Sequence, residues 1–120
     1  GIGKRIDLHA TSTGKAIIAG WSDERIREFV DRYGLPTHTP NTITDLDALM
    51  AEAETIRERG YSVNMQENLA GLRAVGVSIC DHDGEPIGAL SVSGPTNRMK
   101  DDWFESELPD LLMELNLQYS

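Results

Sequence analysis

Thr11-Ser12-Thr13, followed by Gly14-Lys15, is the stretch of this chain best equipped for chemistry. Three consecutive hydroxyls stand directly before a glycine and the apolar run Ala16-Ile17-Ile18-Ala19. Hydroxyl side chains at that position cap helices, because their oxygens accept from first-turn N–H groups that have no helical partner. The same free donors suit a small carboxylate or phosphate. Ser12-Thr13-Gly14-Lys15 also fits Ser-x-x-Lys, in which a lysine activates a serine nucleophile. The Ser-Asp-Asn and Lys-Thr-Gly motifs that accompany that pattern are absent. Lys15 is therefore expected to reach solvent or bind a nearby carboxylate.

Other chemistries fail on spacing. Gly14-Lys15 is followed by Ala16 rather than Ser or Thr, and His9 stands where a phosphate loop needs its first glycine. No Gly-x-Ser-x-Gly elbow surrounds Ser91 or Ser93. His9, His38 and His82 lack ligand spacing, so a site pairing His9 or His38 with a carboxylate is the weaker reading. The lone Cys80 excludes an internal disulfide and a multi-cysteine zinc site, and reads as a packed thiol. Asp81, Asp83 and Glu85 lack the length and glycine of a calcium loop. Trp21 and Trp103 read as packing residues.

The elements that must position these groups belong to one domain of 120 residues. Hydrophobic content is 39% and charged content 26%, ordinary for a globular chain. No apolar run approaches a membrane span and no signal peptide opens the chain, so a cytoplasmic protein is expected. The balance of 20 acidic against 11 basic residues gives a net charge of −9. Such a surface repels polyanions, so this chain is not expected to grip nucleic acid by itself. Acid-rich, lysine-poor surfaces also suit high-salt cytoplasm, which makes a halophilic source an expectation.

Residues 1–8 alternate weakly, like a short strand. A helix is predicted from about Ser12 to Gly20. Ser22 caps a second, with Ile26, Phe29, Val30 and Tyr33 on its apolar stripe and Gly34 as its stop. Thr44 and Asp47 resemble a capping box opening a third, which carries Leu46, Leu49, Met50, Ala53 and Ile56. Arg57 and Arg59 fall in its last turn and Gly60 ends it. Tyr61 to Met65 alternates like a strand. Phe104, Leu108, Leu111, Leu112 and Leu115 keep helical spacing near the C-terminus, with Pro109 expected to kink or restart the helix.

The best-defined element is a hairpin, Leu72–His82 and Glu85–Ser93, turning at Asp83-Gly84. A two-residue turn pairs His82 with Glu85, and the register then pairs Ser78 with Ala89, Gly76 with Ser91, and Ala74 with Ser93. The opposite face pairs Ile79 with Gly88, Val77 with Leu90, and Val75 with Val92. One face is aliphatic and the other small and weakly polar, and a one-residue slip would mix them. The small face reads either as close helix packing or as the floor of a ligand cavity.

In this order, the fragments Gly3-Lys4-Arg5, Leu8-His9-Ala10-Thr11, Gly14-Lys15-Ala16 and Thr39-Pro40-Asn41-Thr42-Ile43 resemble the effector-binding domain of the IclR family of transcription regulators. Arg57-Glu58-Arg59-Gly60-Tyr61, Glu67, Gly71-Leu72 and Ser91-Val92-Ser93-Gly94-Pro95 with Arg98 continue the match over nearly the whole chain. Asp7 replaces the usual proline, and Asn64 stands where an acidic residue is common.

The resemblance implies an α+β fold, GAF-like, with helices packed on an antiparallel β-sheet. It implies a non-enzymatic sensor with no cofactor and no metal, acting as dimer or tetramer and regulating DNA binding by a separate winged helix-turn-helix domain. On it, residues 1–120 are an effector-binding domain that begins after the family's first strands. Its effector, a small organic acid or aromatic metabolite, would meet Ser12 and Thr13 at the helix start and Asn64 after Tyr61. Leu72 and Ala74 would come from one hairpin strand, Ser91 and Ser93 from the other. These hairpin positions lie on the small-residue face, which favours the cavity. The alternatives are a hydrolase using the same pocket, with Ser12 as nucleophile or Glu67 as base, and a pure oligomerisation module.

Overall fold

The computed structural model describes residues 8–119. The strand expected over residues 1–8 lies almost wholly outside them; its last residue, Leu8, opens a 3-10 turn, Leu8–Ala10. Helix α1 (Ser12–Ala19) follows, capped by Thr11, whose side chain accepts from Gly14 N. Gly14 is required at that point: a Cβ there would stand 2.1 Å from the carbonyl oxygen of Leu8. Ser22 caps α2 (Asp23–Tyr33) as its position predicts, and Gly34 ends it at a φ of 70°.

Helix α3 spans Leu46–Arg59. Its cap is Asp45, which accepts from Ala48 N, and not Thr44 one residue earlier. An aspartate caps as well as a hydroxyl does and adds a negative charge at the positive helix end. Arg57 also departs from its expected role. Its Nε donates to the Ala19 carbonyl at 2.7 Å and its Nη2 to the Trp21 carbonyl at 2.9 Å. The guanidinium therefore ties α3 to the exit of α1. The apolar faces of the three helices meet in one cluster built on Ile18, Ile26, Phe29, Leu49, Ala53 and Ile56.

Strands β1 (Ser62–Met65), β2 (Leu72–Cys80) and β3 (Pro86–Pro95) form one antiparallel sheet in the order β1-β2-β3. The register from Leu72 to Ile79 is the one the alternation requires, with Ser78 opposite Ala89, Gly76 opposite Ser91 and Ala74 opposite Ser93. The turn differs. Cys80 pairs with Pro86 across a bulge, and Asp81 N donates to Glu85 O at 2.9 Å in place of a His82–Glu85 pair. The Asp81 carboxylate accepts from both Asp83 N and Glu85 N, which closes a longer loop than Asp-Gly alone predicts.

Helix α4 (Leu108–Tyr119) covers the aliphatic face of the sheet. Val75, Val77, Met99, Phe104, Leu108 and Leu112 form that second cluster. A π-helical turn, Trp103–Glu107, precedes it, with Leu108 N donating to Trp103 O. Pro109 has no N–H to continue the preceding turn, so the helix widens there and restarts, as its position predicts. Leu111 and Trp103 are exposed rather than packed, at 46% and 42%. The fold is thus α+β: α3 on α1, α2 on α3, α1 on the small-residue face, and α4 behind the sheet.

Candidate functional site

The start of α1 crosses the small-residue face of the sheet. Gly76 makes this approach possible, since a Cβ there would lie 2.9 Å from the backbone of Ser12. Ser62 Oγ donates to the Ser12 carbonyl. The Ser12 and Ser91 hydroxyls are hydrogen-bonded at 2.7 Å, joining the helix start to the outer strand. Around Gly76, then, small residues serve close helix packing. Toward β3 the face opens, with Ser91 and Ser93 exposed.

The sequence-derived residues divide accordingly. Ser12 and Ser91 touch; Ala74 and Ser93 are cross-strand partners on the same face, and Leu72 continues it opposite Pro95. Thr13 follows Ser12 in the first helical turn. The N–H groups of Ser12 and Thr13 have no acceptor among the described residues, whereas Gly14 N is taken by Thr11 Oγ1 and Lys15 N by Thr11 O. Asn64 is a brace: its Nδ2 donates to Ala10 O at 2.7 Å and its Oδ1 accepts from Glu67 N at 2.8 Å. Cavities of about 290 Å³ beside α2 and about 300 Å³ between β1 and the π-helical turn lie away from this face.

Lys15 does not reach solvent. Its side chain is fully buried, and Nζ lies 2.6 Å from Glu52 Oε2, 2.8 Å from Glu67 Oε1 and 2.6 Å from the Val63 carbonyl. The ammonium donates hydrogen bonds to Glu52 Oε2 and the Val63 carbonyl, while Glu67 Oε1 faces it as an ion pair without hydrogen-bond geometry. Nothing in that arrangement draws a proton from Ser12. Glu67 Oε2 accepts from Met65 N, and its buried Oε1 has only the ion pair with Lys15.

Sequence reasoning missed Glu52, which lies 37 residues from Lys15, and the role of the Thr39–Thr42 turn. Thr42 Oγ1 accepts from His38 N and Thr39 N and donates to Glu67 O, while Thr39 Oγ1 donates to Gln66 O. His9 is buried with Nε2 at 2.8 Å from the Pro36 carbonyl, a structural contact and not a carboxylate-paired metal ligand. The lysine inside an apolar helix was the available signal for a buried ion network.

The fold is that of the C-terminal domains of bacterial transcription regulators. A family model described as bacterial transcriptional regulator IclR C-terminal matches residues 1–119, and the chain belongs to this family. The HTH-type transcriptional repressor AllR of Escherichia coli K12 is 35% identical over 106 residues, covering 88% of this chain and 39% of that protein. The AllR of Salmonella typhi is 37% identical over the same length and shares. The chain thus spans about two fifths of these relatives.

Solved structures agree. A double mutant of the inducer-binding domain of PobR from Acinetobacter, in complex with 3-hydroxybenzoic acid, superposes with a TM-score of 0.87 at 30% identity. That match covers 92% of this chain and 63% of the other. The Thermotoga maritima IclR gives 0.82 at 39% identity, covering 89% of this chain and 43% of the other.

Proposed function

We propose that this chain is the small-molecule sensor of an IclR-type transcription regulator, binding an organic acid or aromatic metabolite without turning it over. The observation that carries this reading is the meeting of the α1 start with the outer strand at Ser12 and Ser91, beside two N–H groups with no acceptor among the described residues. In this reading the N–H groups of Ser12 and Thr13 hold the ligand carboxylate, in the field of the positive helix end. Ser91 and Ser93 orient its remaining polar atoms, and Leu72 with Ala74 line the apolar wall. Asn64 fixes the carbonyl of Ala10 and so the approach to the helix.

The aromatic acid bound by the PobR relative supports the ligand class. Regulation then requires that the ligand favour one arrangement of the whole regulator over another. DNA contact would fall to a separate domain, in keeping with the net charge of −9 on this chain. Self-association as dimer or tetramer and a cytoplasmic location complete the proposal, and the same charge suits a salt-rich cell.

Thermal-shift titration with small aliphatic carboxylates and aromatic acids, 3-hydroxybenzoate among them, tests the reading. At least one should raise the melting temperature, and Ser91→Leu should abolish the response by placing a bulky side chain beside Ser12. Silence across the panel, or full binding by the leucine variant, overturns the assignment.

A further inference from the structure

Away from the face that carries α1, one cavity combines apolar walls with two charges that do not meet. It holds about 300 Å³ between β1 and the π-helical turn, lined by Arg59, Tyr61, Val63, Met65, Phe104 and Glu105. Sites for small ligands begin near this size. Val63 and Met65 stand on one side of β1, opposite Val75 and Arg73, so strand alternation brings both to the cavity. Phe104 is buried, whereas Met65 is 40% exposed and forms an open apolar wall. Widened helical turns of the kind that carries Phe104 and Glu105 recur at functional sites.

The two charges are held apart. Arg59 Nε donates to the Tyr61 carbonyl at 2.8 Å, and its guanidinium lies 4.7 Å from the centroid of the Tyr61 ring. These contacts orient the guanidinium and leave its two Nη groups without an acceptor among the described residues. The Glu105 carboxylate is exposed and likewise has no hydrogen-bond or ion-pair partner among them. Arg59 and Glu105 therefore line one cavity without pairing with each other. An oriented guanidinium recognises a carboxylate, a lone carboxylate recognises an ammonium, and the apolar walls accept hydrocarbon.

We infer that this cavity binds a free α-amino acid with an apolar side chain. Its carboxylate meets the Nη groups of Arg59, its ammonium meets the Glu105 carboxylate, and its hydrocarbon lies against Val63, Met65 and Phe104. A molecule with one charge or none leaves at least one of those two groups unanswered. The other row of β1 holds the start of α1, with Ser62 Oγ donating to the Ser12 carbonyl and Asn64 Nδ2 to the Ala10 carbonyl. An occupant of the cavity thus bears on the strand that anchors that helix. The cavity shares no residue with the site proposed for the organic acid, so either assignment can fail alone.

Methyl NMR on the 120-residue chain, titrated with L-leucine and L-phenylalanine, tests it. At least one of the two should move the Val63 and Met65 methyl resonances saturably. Analogues without the ammonium (4-methylpentanoate, 3-phenylpropanoate) or without the carboxylate (3-methylbutylamine, 2-phenylethylamine) should bind there at least about tenfold more weakly. Arg59→Gln and Glu105→Lys should each cost the amino acid at least about tenfold in affinity. Position 105 is exposed, so Glu105→Lys and the analogues decide the matter if Arg59→Gln fails to fold. Amino acids that leave both methyls unmoved overturn the inference, as do analogues that match their parent amino acid. A Met65 methyl that shifts with protein concentration alone shows the cavity covered by a second copy, and overturns it equally.

Discussion

Lys15 Nζ lies 2.8 Å from Glu67 Oε1 with no part of the lysine side chain exposed. The pair joins α1 to the turn after β1, and Glu52 joins α3 to both. Removing one partner of a buried pair strands the other charge. Lys15→Met should therefore cost about 3–5 kcal/mol in urea unfolding. Combining it with Glu67→Gln should return part of that loss, because the uncompensated carboxylate is then gone. Equal stability of the single and double variants would show that the charge of Glu67 is not what makes the loss.

Gly76→Ala should separate packing from ligand binding. The added methyl meets the Ser12 backbone at 2.9 Å, so α1 must shift or the strand must bend. Overpacking of this kind costs about 1–3 kcal/mol. The shift also moves Ser12 away from Ser91, so the thermal response to the acid panel should weaken together with the basal melting temperature. A variant as stable as the parent would contradict the close approach.

Much of this architecture was legible because it follows from periodicity. The hairpin register was fixed by the separation of aliphatic from small residues, which a one-residue slip destroys. The helix starting near Ser12 followed from its hydroxyls, and the end of α3 from Gly60. The turn itself was not legible: Asp-Gly is a strong two-residue signal, but the carboxylate of Asp81 offers two backbone N–H groups a better arrangement. The shift from Thr44 to Asp45 reflects two adjacent residues that cap equally well. Chain-distant polar contacts were the least visible. Lys15 with Glu52, and Arg57 with Ala19, depend on how helices pack, which no local pattern encodes. For the proposed site, the register put Ala74, Ser91 and Ser93 on one face and only the family resemblance added Ser12, while neither gave the bracing role of Asn64.

The hairpin loop offers a local test. Asp81→Ala removes the acceptor for Asp83 N and Glu85 N, both near the surface where water replaces it in part. The loss should be about 0.5–1.5 kcal/mol, read as a lower urea midpoint at unchanged slope. A loss of several kcal/mol would mean that the turn sets the register, against the face pattern that accounts for it here.

Asn64→Asp asks whether this residue braces the helix start or contacts ligand first. The amide donates to Ala10 O through Nδ2 and accepts from Glu67 N through Oδ1. A carboxylate keeps the second bond but sets an anionic oxygen against the Ala10 carbonyl in a buried site. The variant should lose about 1–3 kcal/mol near neutral pH. The sign with pH follows from the bond: protonation restores a donor toward Ala10 O, so the folded state binds the extra proton more readily than the unfolded chain. The deficit should therefore shrink as pH falls and grow as it rises, measured as the stability difference between variant and parent. A deficit independent of pH, or no deficit at all with weakened acid binding, would assign Asn64 to the ligand and not to the frame.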